Sequence, residues 1–323
     1  MFNELKKTVI GLVAASLPLI ATAQPGYPAS PIKLIAPTQP GGSIDAISRL
    51  LAESFQEAFK QTVVVENKGG AGGAIGTDYV AKARPDGYTL LTGLAATHSV
   101  QPALGVKLPY DPLTSFAPVA LFAQGALVVA VNAASPVERV SDLNAWAKKL
   151  GRPLNFGTGG QATFGHLTGE AIRASTGLPL THIPYRGSAP AATELAAGLL
   201  DLAVIDALSA SQFVASGKVR LLAAAGPVRN PSFPNVPTLR EQGLPFDLGT
   251  WVGLFAPAGT PPEVVDRLAA AVDRAIQTPA FADRVRALGL NPVFSGPQPF
   301  AAQLRKDYEG WRHIVQTTGI QVD

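Results

Sequence analysis

The sequence predicts an α/β fold of roughly two domains, because short apolar strands alternate with amphipathic helices along its 323 residues. Glycine-rich loops follow two of the strands, one at residues 40–43 and one at residues 157–161. In parallel α/β sheets, ligands bind beyond the carboxyl ends of the strands, which is where these loops would lie. We therefore expect parallel sheets covered by helices on both faces, with one site formed by two loops across a cleft.

The composition limits the possible functions. Hydrophobic residues make up 47% of the chain and charged residues 15%, which is typical of a globular protein with ample core. The net charge of +3 comes without a cluster of Lys and Arg, so nothing indicates nucleic-acid binding. Cysteine is absent, so disulfides do not stabilise the fold. The four histidines lack metal-ligand spacing, and we expect neither a metal nor a cofactor.

The N-terminus has the pattern of a secretory signal. A short positive segment with Lys6 and Lys7 precedes an apolar run at residues 8–20 and the small residues 21–23. The run is too short for a good membrane span. The sequence therefore predicts a signal peptide at residues 1–23, cleaved before Gln24, and a periplasmic protein. An uncleaved anchor is the alternative.

The stretch from residue 32 to residue 61 predicts an anion site. Residues 32–36 indicate a buried strand, and apolar residues recur at helical spacing from Ile44 onward. Between them lie Gly41, Gly42 and Ser43; the serine is a preferred helix N-cap. A helix start leaves backbone N–H groups unpaired and carries partial positive charge. We expect this loop to hold a carboxylate of a small solute.

The rest of the chain continues the alternation of strands and helices. Strands are predicted at residues 62–66, 88–91, 154–157, 179–184, 202–206, 219–225 and 251–256, and two apolar runs lie within 116–131. Helices are predicted up to about residue 83, at 140–150, at 163–176, up to 195, at 263–277, at 280–288 and at 299–317.

Several segments, in this order, resemble the Bug-type extracytoplasmic solute receptors, the binding components of tripartite tricarboxylate transporters. The matching segments are residues 40–45 with Arg49, 66–73, 85–91, 182–187 and 256–261. The resemblance implies a two-lobed periplasmic binding protein of the Venus flytrap, type II-like class with two crossover strands. These would lie near residues 123–128 and 224–248. One lobe would comprise residues 24–124 plus 248–323, and the other residues 125–247.

The resemblance also implies that loop backbone groups bind the solute. The predicted ligand-binding residues are Thr38, Gly41, Gly42, Ser43, Asp45, Ala96, Thr97, Thr158, Gly159, Gly160, Gln161, His166, Arg186 and Asp206. Thr38 departs from the family, in which an aromatic residue is common at this position. The stretch 95–98 is also poorer in hydroxyls than in many members. Because of these two departures, we expect the solute to differ from those that are common in the family.

Each charged or polar candidate also has a structural interpretation. Asp45 would orient its loop or accept a solute ammonium group, or only compensate the helix dipole. His166 would donate to the solute as a neutral imidazole, or be a structural histidine. Arg186 would pair with a second carboxylate or form an ion pair. Asp206 would face the cleft or cap the next turn, and Trp251 would wall the pocket or pack in the core.

The predicted function is capture of a di- or tricarboxylate, an acidic amino acid or an aromatic acid for the transporter's membrane subunits. Common catalytic motifs are missing, so we do not expect an enzyme. We also expect the protein to be a monomer. Gly70, Gly72 and Gly76 form a loose dinucleotide fingerprint, which a tight turn explains better. The alternatives are a receptor that contacts the outer domain of a sensor kinase, and an enzyme on the same fold.

Overall fold

The computed structural model describes residues 26–161, 163–185, 187–246 and 248–319. The predicted signal peptide, residues 1–23, and the candidate Arg186 lie outside the described residues. Within the described ranges, no helix has both the length and the apolar character needed to cross a membrane.

The strands of the described chain form one sheet of six strands and one of five. The first sheet contains β1 (Ile32–Ala36), β2 (Val63–Asn67), β3 (Thr89–Leu94), β4 (Phe116–Gly125), β10 (Thr250–Pro257) and β11 (Asn291–Ser295). The second contains β5 (Leu127–Asn132), β6 (Leu154–Thr158), β7 (Leu180–Pro184), β8 (Leu202–Ile205) and β9 (Val219–Ala225). The first sheet with its covering helices is called the first lobe, and the second sheet with its covering helices the second lobe.

Helices cover both sheets. They are α1 (Ser43–Phe59), α2 (Ala74–Ala81), α3 (Gln101–Ala103), α4 (Leu143–Leu150), α5 (Phe164–Thr176), α6 (Ser188–Ala196), α7 (Ala207–Ala215), α8 (Pro262–Gln277), α9 (Pro279–Ala287) and α10 (Pro297–Thr318). Shorter helical turns lie at Ala71–Gly73, Val140–Asp142 and Arg240–Gln242, and a π-helical turn at Ala96–Val100 leads into α3.

Both sheets are mixed, so the prediction of parallel sheets was wrong in part. In the first sheet, in the order β11-β4-β10-β3-β1-β2, β1 pairs in parallel with β2 and β3, and the other pairings of the described strands are antiparallel. In the second, in the order β7-β6-β8-β5-β9, β6 pairs in parallel with β7 and β8, and the other pairings are antiparallel. The strands with which the chain enters each lobe after a crossing, β10 and β5, pair antiparallel with β3 and β8. Because the carboxyl ends of the parallel strands share an edge, the predicted loops still lie at those edges.

The chain crosses between the lobes twice, as predicted. Ala126 alone separates β4 from β5, and residues 226–249 join β9 to β10. The crossings touch, since a Cβ on Gly226 would lie 2.7 Å from the Cβ of Ala126. A Cβ on Gly249 would lie 3.1 Å from the carbonyl oxygen of Gly125. Glycine at these positions lets the two crossings pack against each other.

The long helix α10 packs on both lobes. Phe300 and Leu304 lie in an apolar cluster of the first lobe. Trp311, which is fully buried, lies in the cluster of the second lobe, and its ring is 5.0 Å from that of Phe164. The helix therefore fastens the two lobes together beside the crossings.

Helix α1 shows how the sequence builds the first lobe. Ile47, Leu50, Leu51 and Phe55 recur at a spacing of three or four residues, and all are buried against the sheet. The helix begins one residue earlier than expected, because Gly42 and not Ser43 is the N-cap. No side-chain hydrogen bond caps this start. The first-turn N–H groups are therefore not satisfied by a capping side chain.

Candidate functional site

The loop between β1 and α1 is held in shape by Asp45. The carboxylate accepts hydrogen bonds from the Gly41 N–H at 2.9 Å and from Asn67 Nδ2 at 3.0 Å, and it pairs with Arg49 at 2.9 Å. The hydrogen bond from Arg49, followed by that from Gly41, lowers the pKa of Asp45 to about 2. A carboxylate with three such partners orients the loop. Its lone pairs are already occupied, so the structure favours this interpretation over contact with a solute ammonium group.

The Asp45 contacts determine which loop donors stay available. The Gly41 N–H is used internally, whereas the N–H groups of Gly42 and Ser43 have no acceptor within the described residues. Gly41 has a φ of 89°, which turns the chain so that the next amides open outward. The Oγ1 of Thr38 is buried and has no partner among the described groups. The N–H groups of Gly42 and Ser43 are therefore the polar groups that this loop can offer, since the Thr38 hydroxyl is buried.

Asn67 supports the first-lobe loop, a role that the sequence did not lead us to predict. Its amide donates to the Thr38 carbonyl oxygen at 3.3 Å as well as to Asp45, and so joins the end of β2 to the loop after β1. The neighbouring strands β1 and β2 end side by side, with Ala36 opposite Asn67. An asparagine at the end of a predicted strand was the available signal.

The loop after β3 exposes an apolar side chain and no side-chain hydrogen-bond donor at residues 96 and 97. Ala96 is exposed on this loop, but Thr97 is fully buried. The Thr97 hydroxyl lies 3.2 Å from the Leu94 carbonyl oxygen and 2.9 Å from His98 Nδ1. Thr97 therefore supports the turn from inside, and its side chain is not available to the solute, although the residue was predicted to bind it.

In the second lobe, Thr158 also supports its loop from within. Its hydroxyl is 3.0 Å from the Gly160 carbonyl oxygen and 2.7 Å from His182 Nε2. Both contacts are satisfied when His182 carries its proton on Nε2 and the threonine donates to Gly160. Gly159 accepts a hydrogen bond from the Gly187 N–H, and Gly160 has a φ of 148°. The loop is thus shaped by Thr158, Gly159 and Gly160, and Gln161 is its exposed end.

His166 lies below this loop, in the first turn of α5. Its ring stacks on that of His182, with centroids 3.8 Å apart and planes inclined by 9°. Burial lowers the pKa of His166, and burial together with the charge of His166 lowers the pKa of His182 to about 4. Both rings are therefore neutral at pH 7. The stacked and buried position favours the structural interpretation of His166.

Asp206 is the N-cap of α7. Its carboxylate accepts from the Ser209 N–H at 2.8 Å and from the Ser209 hydroxyl at 2.9 Å, so the capping interpretation holds. Trp251 is buried in the core, where its Nε1 donates to Asp307 at 2.8 Å. Neither side chain is among the described residues that line the cavity between the lobes.

A cavity of about 490 Å³ lies between the two lobes. Ala96 and Gln101 line it from the first lobe, Gln161, Thr163 and Phe164 from the second, and Thr250 from the crossing strand. Of the predicted residues, the structure brings Ala96 and Gln161 to this cavity. The loop at 38–43 is not among its lining residues. A volume of this size is typical of sites for small molecules.

A second cavity of about 480 Å³ lies on another side of Thr250, between the crossing strand and α10. Arg240, Lys306 and Asp307 line it. This cavity contains neither glycine-rich loop and lies away from the carboxyl ends of the parallel strands. The cavity with Gln161 and Ala96 is therefore the better candidate for ligand binding.

The glycines of the loose dinucleotide fingerprint have a packing role. A Cβ on Gly76 would lie 2.6 Å from the carbonyl oxygen of Lys68 and 2.9 Å from the Cα of Pro37. Only glycine therefore lets α2 approach the two loops this closely. The tight-turn interpretation accounts for this motif.

Two lobes joined by two crossings, with a cavity between them at the strand ends, define a solute-binding receptor. The family model described as "Tripartite tricarboxylate transporter family receptor" matches residues 47–320, and the chain belongs to this family. The resemblance inferred from the sequence is thus confirmed.

Individual relatives, two of them with solved structures, are similar to this chain. The chain is 33% identical to protein BugT of Bordetella pertussis over 97% of both chains. A TctC solute-binding protein from Polaromonas, solved without ligand, is 30% identical with a TM-score of 0.81, covering 90% of this chain and 99% of that one. An R. palustris protein solved with adipate is 31% identical with a TM-score of 0.76, covering 91% and 99%.

Proposed function

We propose that this protein is a periplasmic receptor that binds a small carboxylate between its lobes and presents it to the membrane subunits of a tripartite tricarboxylate transporter. The observation that carries the proposal is the cavity between Ala96 and Gln161, next to the start of α5. The N–H groups of Phe164 and Gly165 precede the first backbone hydrogen bond of this helix, from Leu167 to Thr163. Such donors, with the helix dipole behind them, attract a carboxylate.

Two features support the choice of an acid. The available groups of the first-lobe loop, the N–H groups of Gly42 and Ser43, also stand at a helix start. The R. palustris relative was solved with adipate, a dicarboxylate. Binding from two lobes would draw them together, and the closed form would offer a combined surface to the transporter.

The proposal also covers the secretion, the oligomeric state and the partner of the protein. The segment 1–23 would direct secretion and be removed before Gln24, and the mature receptor would work as a monomer that binds without turnover. A role in sensing would use the same closed form on the outer domain of a sensor kinase. Pull-down with and without a bound acid separates transport from sensing.

Titration calorimetry of the chain from Gln24 onward against adipate, succinate, glutamate, citrate and benzoate tests the proposal. We expect at least one of these acids to bind. Val106 lines the cavity and Val228 does not, yet each side chain is 38% exposed. Val106→Asp places a negative charge in the cavity and should weaken binding about tenfold or more, whereas Val228→Asp should not. If none of the acids binds the wild-type chain, the proposal fails.

A further inference from the structure

The cavity between the lobes is notable for its lack of charge. None of the described residues that line it has a charged side chain. Most of its wall is apolar and comes from Ala96, Val100, Leu104, Val106 and Phe164. The segment 100–106 supplies three of these side chains. This wall can bury the hydrocarbon body of a ligand but cannot pair with several carboxylates.

The polar side chains of the wall are largely committed to the protein. Gln101 Nε2 donates to the Gly72 carbonyl oxygen at 3.1 Å, and its Oε1, which has no partner among the described residues, is buried and does not reach the accessible surface of the cavity. The Thr163 hydroxyl donates to the Gly160 carbonyl oxygen at 2.9 Å. The remaining donors in the second lobe are the Gln161 amide and the first N–H groups of α5. These groups are neighbours in the chain and suit one carboxylate, whereas Thr250, on the crossing strand, adds a single neutral hydroxyl to the lining.

A solute that fits this cavity must therefore have one polar end, which meets the donors, and an apolar body, which lies against the wall. A hydroxyl or a further carboxylate placed against the wall would lose its hydrogen bonds to water without replacement, which costs about tenfold or more in affinity for each group. Each buried methylene instead improves affinity about fourfold.

From this wall we infer the class of solute: a carboxylate with an apolar, unhydroxylated body, such as an aliphatic or aromatic acid, in preference to malate, tartrate or citrate. The inference rests on the proposed function and narrows it. The carboxylate lies at the start of α5 beside Gln161, and the body lies against Leu104 and Val106.

A chain-length series tests the inference. Calorimetry with propionate, butyrate, pentanoate and hexanoate should show affinity rising about fourfold for each methylene. Benzoate and cyclohexanecarboxylate should bind more tightly than malate, tartrate and citrate by about tenfold or more. If citrate or malate binds and the apolar acids do not, or if the series is flat, the inference is overturned while the proposed function stands. If no carboxylate binds, both fail.

A charge introduced into the wall gives an independent test. Ala96 is exposed and lines the cavity, so Ala96→Lys adds a cation there without disturbing the core. This variant should bind malate and citrate about tenfold or more tightly than the wild-type chain does, because their further carboxylates gain a partner, and its gain for hexanoate, which has a single carboxylate, should be smaller. Ala134→Lys is the matched control, because Ala134 is exposed in a turn outside the cavity. Unchanged preferences in Ala96→Lys would overturn the inference.

Discussion

The imidazole rings of His166 and His182 are stacked 3.8 Å apart beneath the loop that ends in Gln161. His166 belongs to the first turn of α5, and His182 contacts the hydroxyl of Thr158. The pair therefore connects the helix start and the loop, which are the two parts of the second lobe that we assign to solute binding. Phe156 packs beside both rings, and Glu170 forms an ion pair with Arg173 one turn further along α5.

The stacked pair predicts that the protein loses stability in mild acid. Burial, and then the charge of His166, lowers the pKa of His182 to about 4, so the folded protein binds fewer protons than the unfolded chain. The stabilisation is complete above the unfolded pKa of about 6.5 and is lost as the pH falls towards 4. His98, fully buried with a pKa of about 3, adds to the loss in the same direction.

Urea denaturation between pH 7.5 and pH 4.5 measures this loss. His182→Gln keeps a donor for Thr158 but cannot be protonated. Between pH 7.5 and pH 4.5 this variant should therefore lose about 2 kcal/mol less unfolding free energy than the wild-type protein does. His313→Gln, at an exposed position on α10, should retain the wild-type slope. Equal slopes for all three proteins would show that the stacked pair does not control the acid response.

The carboxylate of Asp45 should be important for both stability and binding. Asp45→Ala removes an acceptor shared by Gly41, Asn67 and Arg49; the Gly41 N–H loses its partner, while Asn67 keeps the Thr38 carbonyl and Arg49 keeps the Asn67 Oδ1, and the loss should cost about 1–3 kcal/mol of unfolding free energy. The loop would lose its shape, so affinity for the solute should also fall. Thermal unfolding and calorimetry measure the two effects.

Asp283→Ala is the control for this variant. Asp283 also pairs with an arginine, Arg286, but its side chain is 73% exposed and that of Asp45 only 8%. An exposed pair contributes less than about 1 kcal/mol. If the two substitutions cost the same, the network around Asp45 does not hold the loop.

Much of this arrangement follows from the sequence, and the rest depends on contacts between distant segments. The strand Ile32–Ala36 and the glycine loops after it could be predicted because local pattern and turn chemistry agree there. The antiparallel pairing of β10 with β3 and β4 could not, because it results from the crossings between lobes. The strand β11 was missed, because it is short and contains Pro292.

Some residues of the candidate site were predicted from the sequence, but the apolar side chains that line its cavity were not. Gly42 and Ser43 were proposed from helix-start chemistry, which is local, but their loop does not line the cavity; Gln161, which does, was proposed from the second glycine-rich loop and the family resemblance. The apolar side chains of residues 100–106 come from a segment with no motif, and only the fold brings them opposite Phe164. Asn67 acts through Thr38, a contact over 29 residues that no sequence spacing indicates.

Substitutions at Gly42 should separate the role of its N–H from that of its small size. Gly42 has a φ of −87°, and a Cβ there would meet nothing within 4 Å. Gly42→Ala keeps the N–H and should bind the solute within about twofold of the wild-type chain. In the proposed closed form the Gly42 N–H, which does not line the cavity in this structure, reaches the solute, so Gly42→Pro, which removes this donor, should weaken binding about tenfold or more. Calorimetry with whichever acid binds best decides, and wild-type affinity in the proline variant would show that this donor is not used.

Trp311 should couple the C-terminal helix to the solute site. Its buried ring packs edge-on against Phe164 at 5.0 Å and against Phe246 at 6.0 Å, and Phe164 lines the cavity. Trp311→Ala should cost about 3–5 kcal/mol of unfolding free energy, because it leaves a void in the core. It should also weaken solute binding, because Phe164 loses its support.

Trp146→Ala is the matched comparison for this last prediction. Trp146 is a half-buried residue of α4 at the edge of the same apolar cluster, and it does not line the cavity. Its removal should lower the stability less and leave affinity unchanged. Denaturant unfolding gives the first quantity and calorimetry the second, both at a temperature where each variant is folded. If Trp311→Ala were destabilised but bound the solute with full affinity, α10 would only hold the lobes together and would not shape the cavity.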